Sequence, residues 1–314
     1  MPYAADNLRG LRRVRASSRK SLVEIDRFAR TLPSDASIAE FQKSLPGYLK
    51  ANDWRALLDA IAHAHKTAKP IFWMLGAHVL KCGLSPIILE MMELGLVDLL
   101  AFNGAGAVHD LEIAYLGRTS EDVATGLRHG QFGMAADTAR WFARGVSAAK
   151  KKNCGLGEGL GRSIITAHPP HASLSVLARA MARGIPALIF PAIGAEIVAQ
   201  HPEFDGAGVG ATAHLDFKIL AKECRALHRG GVVLHFGSAV ILPEVFLKAL
   251  SVARNRTRVE GLVTANFDMI QHYRPNTNVV TRPTLHTGKG YSFTGHHELM
   301  IPLLAWSIKA RLGM

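Results

Sequence analysis

Short, mainly apolar runs alternate along the chain with longer stretches in which apolar residues recur every three or four positions. Ile71–Leu75 is one such run, entered from Lys69-Pro70 and closed by Gly76. Others lie at 97–102, 163–166, Ala187–Phe190, 231–236 and 261–264. Runs of this length predict strands buried on both faces. Helical spacing falls at 53–66, 86–94, 120–150, 173–183, 213–228 and 243–253, with Pro86 and Pro243 at first-turn positions. Before residue 46 the pattern weakens. Leu22, Val23, Ile25 and Phe28 have rough helical spacing, and Ser34 is placed to cap a short helix through Phe41. The glycine-rich stretch 155–161 follows three lysines, Lys150 to Lys152, and reads as an exposed loop.

Strands alternating with helices predict an α/β fold, a doubly wound and mostly parallel sheet with helices on both faces. The expected organisation is a basic arm with short helices over 1–45, then one domain over 46–314. In such sheets ligands bind beyond the carboxyl ends of the strands. That rule directs attention to the loops that begin at Gly76, Asn103, Ala167, Ile193, Gly237 and Asn266.

Composition narrows the class. The 314 residues are 48% hydrophobic and 20% charged, ordinary for a globular protein. The sequence holds no apolar run of membrane-spanning length and no secretory signal pattern at its start, so a cytoplasmic protein is expected. Three cysteines, Cys82, Cys154 and Cys224, form no CxxC pair. They predict free thiols in a reducing compartment and no metal centre. The net charge of +12 gathers partly at the start, where Arg9, Arg12, Arg13, Arg15, Arg19 and Lys20 face the single Asp6. Such a segment suits a solvated arm, one docked on a neighbouring subunit, or an arginine-rich targeting sequence. Nucleic-acid binding is the lesser reading, because Tyr3 is its one aromatic residue.

Two glycine-rich segments are candidate ligand loops. Asn103-Gly104-Ala105-Gly106-Ala107-Val108-His109-Asp110 follows a strand and opens a helix, where backbone amides favour an anion; His109 stands where GxGxxG has its third glycine. Gly206 to Ala211 fits GxGxxA, but no strand precedes it. Among 15 histidines, His168 and His171 flank a Pro-Pro pair, while His296 and His297 adjoin Glu298. Imidazoles there could move protons or hold a metal.

The order of these segments resembles the deoxyhypusine synthase family over residues 69 to 311. The resemblance rests on Gly76-Ala77-His78-Val79-Leu80-Lys81-Cys82-Gly83, on Leu94-Gly95-Leu96-Val97-Asp98, and on Asn103 to Leu111. It continues through Ile185-Pro186-Ala187, similar to that family's central strand, then Phe190-Pro191-Ala192, Thr264-Ala265-Asn266-Phe267-Asp268 and Pro302-Leu303-Leu304. The resemblance implies a Rossmann-like sheet, bound NAD, a small polyamine or amine substrate and a homotetramer. It assigns cofactor contacts to Gly76, His78, Asn103, Gly104, Gly106, His109, Asp110, Gly237, Ser238, Thr264 and Ala265. Carboxylates for a cationic substrate would be Asp268 and Glu298.

The family's Trp-Gly-Lys tripeptide, whose lysine captures the aminobutyl group, has no counterpart near Thr281, Arg282 and Pro283. Lys289, between Gly288 and Gly290, is the candidate substitute. Two functions therefore stand open. One is NAD-dependent amine oxidation or aminoalkyl transfer on a polyamine, of the homospermidine type. The other is a family member that binds a nucleotide or anionic metabolite in a basic pocket of His78, Lys81, His109 and Arg282, without transfer chemistry.

Overall fold

A computed structural model describes residues 3–314; the first two residues of the expected arm lie outside it. Six strands make one sheet: β1 (Ile71–Leu75), β2 (Leu99–Asn103), β3 (Ala187–Phe190), β4 (Val232–Phe236), β5 (Val263–Asp268) and β6 (Lys289–Thr294). Their order is β3-β2-β1-β4-β5-β6 and every pairing is parallel. The chain therefore winds outward from β1 in one direction and resumes from β4 in the other, the doubly wound topology.

The helices are α1 (Ile38–Ser44), α2 (Leu49–Lys66), α3 (Ala77–Lys81), α4 (Ser85–Glu93), α5 (Gly104–Leu116), α6 (Val123–Arg128) and α7 (Ala136–Lys152), then α8 (Leu156–Ala167), α9 (Val176–Ala182), α10 (Gly206–Glu223), α11 (Ile241–Arg256), the single turn α12 (Tyr273–Pro275) and α13 (His297–Leu312). Side chains alternate across each strand. Ile71, Trp73 and Leu75 enter a core covered by α2, α4, α5, α7, α8, α9 and α13. Phe72 and Met74 enter a second core against α10 and α11. All five residues of β1 are buried, which is why the run carries no polar alternation.

Several expectations are corrected. Residues 163–166 are not a strand but the last turns of α8, and 155–161 is not an exposed loop but its start. The glycines there are contact surfaces: a Cβ on Gly157 would lie 1.9 Å from Ala187 O, and one on Gly159 2.4 Å from Ala149 Cβ. The stretch 120–150 breaks into α6 and α7 at Gly130 and Gly133, both with left-handed φ. Ser37, not Ser34, caps α1, in a reciprocal capping box with Glu40. The Gly206–Ala211 stretch is the capped first turn of α10, with Asp205 accepting from Gly208 N at 2.8 Å. β3 is an edge strand, not a central one.

Residues 3–36 run over the surface with two short 3-10 turns, and Leu11, Val14, Leu22, Ile25 and Phe28 are exposed. The Arg27 guanidinium lies 4.5 Å over the Tyr48 ring, Tyr48 Oη donates to Glu24 O at 2.8 Å, and Arg30 N donates to Ser44 O at 2.9 Å, so residues 24–30 tie this segment to the domain. α1 is docked further in, with Gln42 Nε2 donating to Ser307 O on α13 at 3.1 Å.

Candidate functional site

Strand order reverses between β1 and β4, which is where a doubly wound sheet places its ligand crevice. Its floor is built from two glycines. Gly76 N donates to Phe236 O at 2.7 Å, and a Cβ on Gly76 would lie 2.2 Å from Gly237 O. Gly237 has φ +65°, and a Cβ there would meet His297 Nε2 at 2.3 Å. Nothing larger than hydrogen fits at either position. The two halves of the sheet and the start of α13 interlock here.

Buried polar groups surround this floor. His297, at the first position of α13, is fully buried and neither ring nitrogen has a hydrogen-bond partner among the described residues. Burial pushes its pKa down, partly opposed by the Asp268 charge, so the ring is neutral at neutral pH. His235, in β4, bonds through Nδ1 to Asn266 Oδ1 at 2.7 Å. Asn266 Nδ2 donates to Gln271 Oε1 at 2.7 Å, and Gln271 Nε2 to Phe293 O at 2.9 Å. Burial holds His235 at about 4. Asp268, buried at the end of β5, acts electrostatically on both His235 and His297.

Across the crevice, the short helix α3 presents His78, Lys81 and then Cys82. Cys82 Sγ lies 3.3 Å from His78 Nε2 and 3.8 Å from Glu298 Oε2. Lys81 also lines a pocket of about 200 Å³ above β2, shared with His109, Glu112 and Glu196. His109 Nδ1 is 2.6 Å from Thr119 Oγ1, and burial, with Lys81 and His78 nearby, outweighs Glu112 and lowers its pKa. Glu196 accepts from Ala192 N at 2.9 Å and from the Gly104 amide; its Oε1 lies 2.3 Å from where a Gly104 Cβ would sit. Asn103 Oδ1 accepts from Gly106 N at 3.0 Å. A carboxylate and an amide oxygen thus already cap the first turn of α5.

No protein-family model and no curated protein matches the chain. Solved structures do. The ternary complex of AgrE with ornithine and NAD+ superposes with TM-score 0.53 and 14% identity, over 83% of this chain and 33% of that one. Apo ArgZ, an arginine dihydrolase from the ornithine-ammonia cycle in cyanobacteria, gives 0.51 and 16%, over 82% and 33%. A protein provisionally assigned as a deoxyhypusine synthase, from Entamoeba histolytica, gives 0.52 and 11%, over 90% and 96%. The likeness is one of fold. This chain spans about a third of the AgrE and ArgZ chains, but nearly the whole of the Entamoeba protein.

The sequence-predicted residues divide. Gly76, His78, Gly237, Ser238, Asp268 and Glu298 gather at the carboxyl edge of the central strands. Asn103, Gly104, Gly106 and His109 lie at the neighbouring end of β2. Asp110 does not join them: it is fully buried and accepts from Ser175 Oγ at 2.6 Å, Val176 N at 2.7 Å and Leu177 N at 3.2 Å, holding the start of α9. Thr264 and Ala265 are buried inside β5, paired with Val233 and Leu234. Lys289 begins β6 opposite Val263, at the amino edge of the sheet. Five residues separate it from the Asp268–Thr294 pair, roughly 16 Å along the strand. Arg282 bonds Asn278 at 2.8 Å on the segment returning from β5 to β6, and does not join Lys81. His235 escaped sequence reasoning as a site group, Glu196 matches the family's acid after the central strand only imperfectly in sequence, and Cys82 reads there as an ordinary free thiol.

Proposed function

We propose that this protein is an NAD-dependent enzyme acting on a small amine, with the cofactor in the crevice between β1 and β4. The observation that carries this reading is the Gly76–Gly237 floor at the strand-order reversal, flanked by neutral His297 and buried Asp268. The two glycines bring the loops after β1 and β4 together with no side chain between them, and Lys81 on α3 supplies a positive charge nearby. The expected α5 turn fits less well, because Glu196 and Asn103 occupy its amides. A pyrophosphate is therefore assigned to the side of Gly76 and Lys81, and not to Gly104–Gly106.

Bound there, NAD would supply a hydride acceptor for the carbon beside an amine nitrogen. The chain's own part is electrostatic and acid–base. An amine substrate arrives protonated, and buried Asp268 favours that charge. The neutral imidazole of His297 can take the ammonium proton, leaving the nitrogen lone pair that hydride loss requires. Asp268 then stabilises the imidazolium. Lys289 has no part, so an acceptor amine would add directly to the oxidised carbon. The donor's own amine would leave, and return of the hydride would restore the amine oxidation level, as in the homospermidine type. A homotetramer belongs to the same proposal and is read by light scattering.

The test is calorimetric titration with NAD, followed by incubation with NAD and putrescine or spermidine and mass spectrometry of the products. Expected are saturable NAD binding weakened in Lys81→Ala, and an NAD-dependent amine product lost in His297→Ala. Tight binding of anionic nucleotides with no product from any amine selects the second reading, a nucleotide-binding protein without transfer chemistry. The Lys81, His78 and His109 cluster is what favours that alternative. No nucleotide binding at all sinks both.

A further inference from the structure

We infer that His78, Cys82 and Glu298 form a binding site for one divalent transition-metal ion of the zinc class. This goes beyond the proposed cofactor site and does not depend on it.

Three donors of different chemistry converge. His78 and Cys82 are four residues apart at either end of α3 and so project from the same side of one turn. Glu298 comes from the first turn of α13, 216 residues later in the sequence. The three donor atoms lie within 4.8 Å of one another, with sulfur to nitrogen at 3.3 Å and sulfur to oxygen at 3.8 Å. A tetrahedral zinc with bonds of about 2.0–2.3 Å holds its donors roughly 3.3–3.6 Å apart. Two of the separations already match to within a few tenths of an ångström. The third closes by a small swing of the Glu298 side chain, which is 48% exposed and free to move.

The arrangement does not suit the obvious alternative, a nucleophilic cysteine. A Cys–His–acid relay needs the carboxylate on the imidazole, where it orients the ring and stabilises its charge. Here both the imidazole and the carboxylate point at sulfur. A carboxylate beside a thiol opposes thiolate formation, whereas a shared cation satisfies all three at once. Thiolate, imidazole and carboxylate together select zinc-like ions over the hard, all-oxygen preferences of magnesium and calcium. Three protein donors leave a fourth position for water or a small ligand. The His297 ring, buried and without a partner on either nitrogen, lies next to this site, its centroid 6.0 Å from that of His78.

The test is titration of chelator-treated, reduced protein with Co2+, then competition with Zn2+. Expected is one equivalent of cobalt giving a thiolate-to-metal charge-transfer band that zinc abolishes. Cys82→Ser should lose the band, and Glu298→Gln should weaken zinc binding by roughly tenfold or more, while Cys154→Ser keeps both. Glu298 is exposed, so its variant folds even where Cys82→Ser does not, and circular dichroism confirms this. No charge-transfer band, or Glu298→Gln binding zinc as tightly as wild type, overturns the inference. Because the readout uses neither nucleotide nor amine, its failure leaves the enzyme reading untouched, and the converse also holds.

Discussion

Gly237 approaches His297 so closely that a methyl group on its α-carbon would lie 2.3 Å from Nε2, and it does so with a left-handed φ of +65°. Both constraints act on one residue. Gly237→Ala should therefore destabilise the fold by roughly 2–4 kcal/mol, adding backbone strain to overpacking. In urea denaturation, the double variant Gly237→Ala/His297→Ala should recover the steric part and keep the backbone part. A single variant within about 0.5 kcal/mol of wild type would contradict the interlock.

Asp110 fastens α5 to α9 through Ser175, Val176 and Leu177. Asp110→Ala orphans three buried donors and should cost about 3 kcal/mol or more, with cofactor affinity unchanged in the fraction that folds. Loss of cofactor binding at full stability would return Asp110 to the site.

Asp216 gives the stability a particular pH dependence. It is buried, accepts from Gly157 N at 3.1 Å and Ile189 N at 2.9 Å through one oxygen, and leaves the other without a partner. Burial raises its pKa to about 7. The folded protein keeps a proton that the unfolded chain releases above about pH 4. Its contribution is full below that pH and is lost as the pH rises through 7. Between pH 5 and pH 8, wild type should lose on the order of 2 kcal/mol more than Asp216→Asn, measured by paired urea titrations. Parallel pH profiles would count against a protonated Asp216.

Lys81 and Lys289 separate the two possible sites for a working lysine. Lys81→Ala should weaken nucleotide binding by roughly tenfold at low salt, and less at high salt. Lys289→Ala should leave it unchanged, since it starts β6 at the other edge of the sheet. Equal effects from both, by calorimetry, would refute the placement of the crevice.

What the sequence made legible follows burial. β1 and β4 are buried at every position, so their apolar runs stand out, and Gly76 and Gly237 end them where the chain must turn. β6 was invisible because Lys289-Gly290-Tyr291-Ser292 is a half-exposed edge, with Gly290 small because Val280 O lies 2.1 Å from its Cβ position. The glycines of α8 imitate a loop but are the places where it touches α7 and β3. Asp110 imitates a site acid because the amides it caps lie 66 and 67 residues away. The Cys82–Glu298 approach is hidden for the same reason: only the closure of the sheet brings those ends together.

The interlock of Gly76, Gly237 and His297 also determines how the crevice can breathe. Strands β1 and β4 are pinned by the Gly76–Phe236 hydrogen bond and cannot splay to admit a ligand. Accommodation falls to α3, one and a half turns long and followed by Gly83 at φ +77° with open space around it. That segment is the natural pivot, so hydrogen exchange should be faster there than in the strands beneath it.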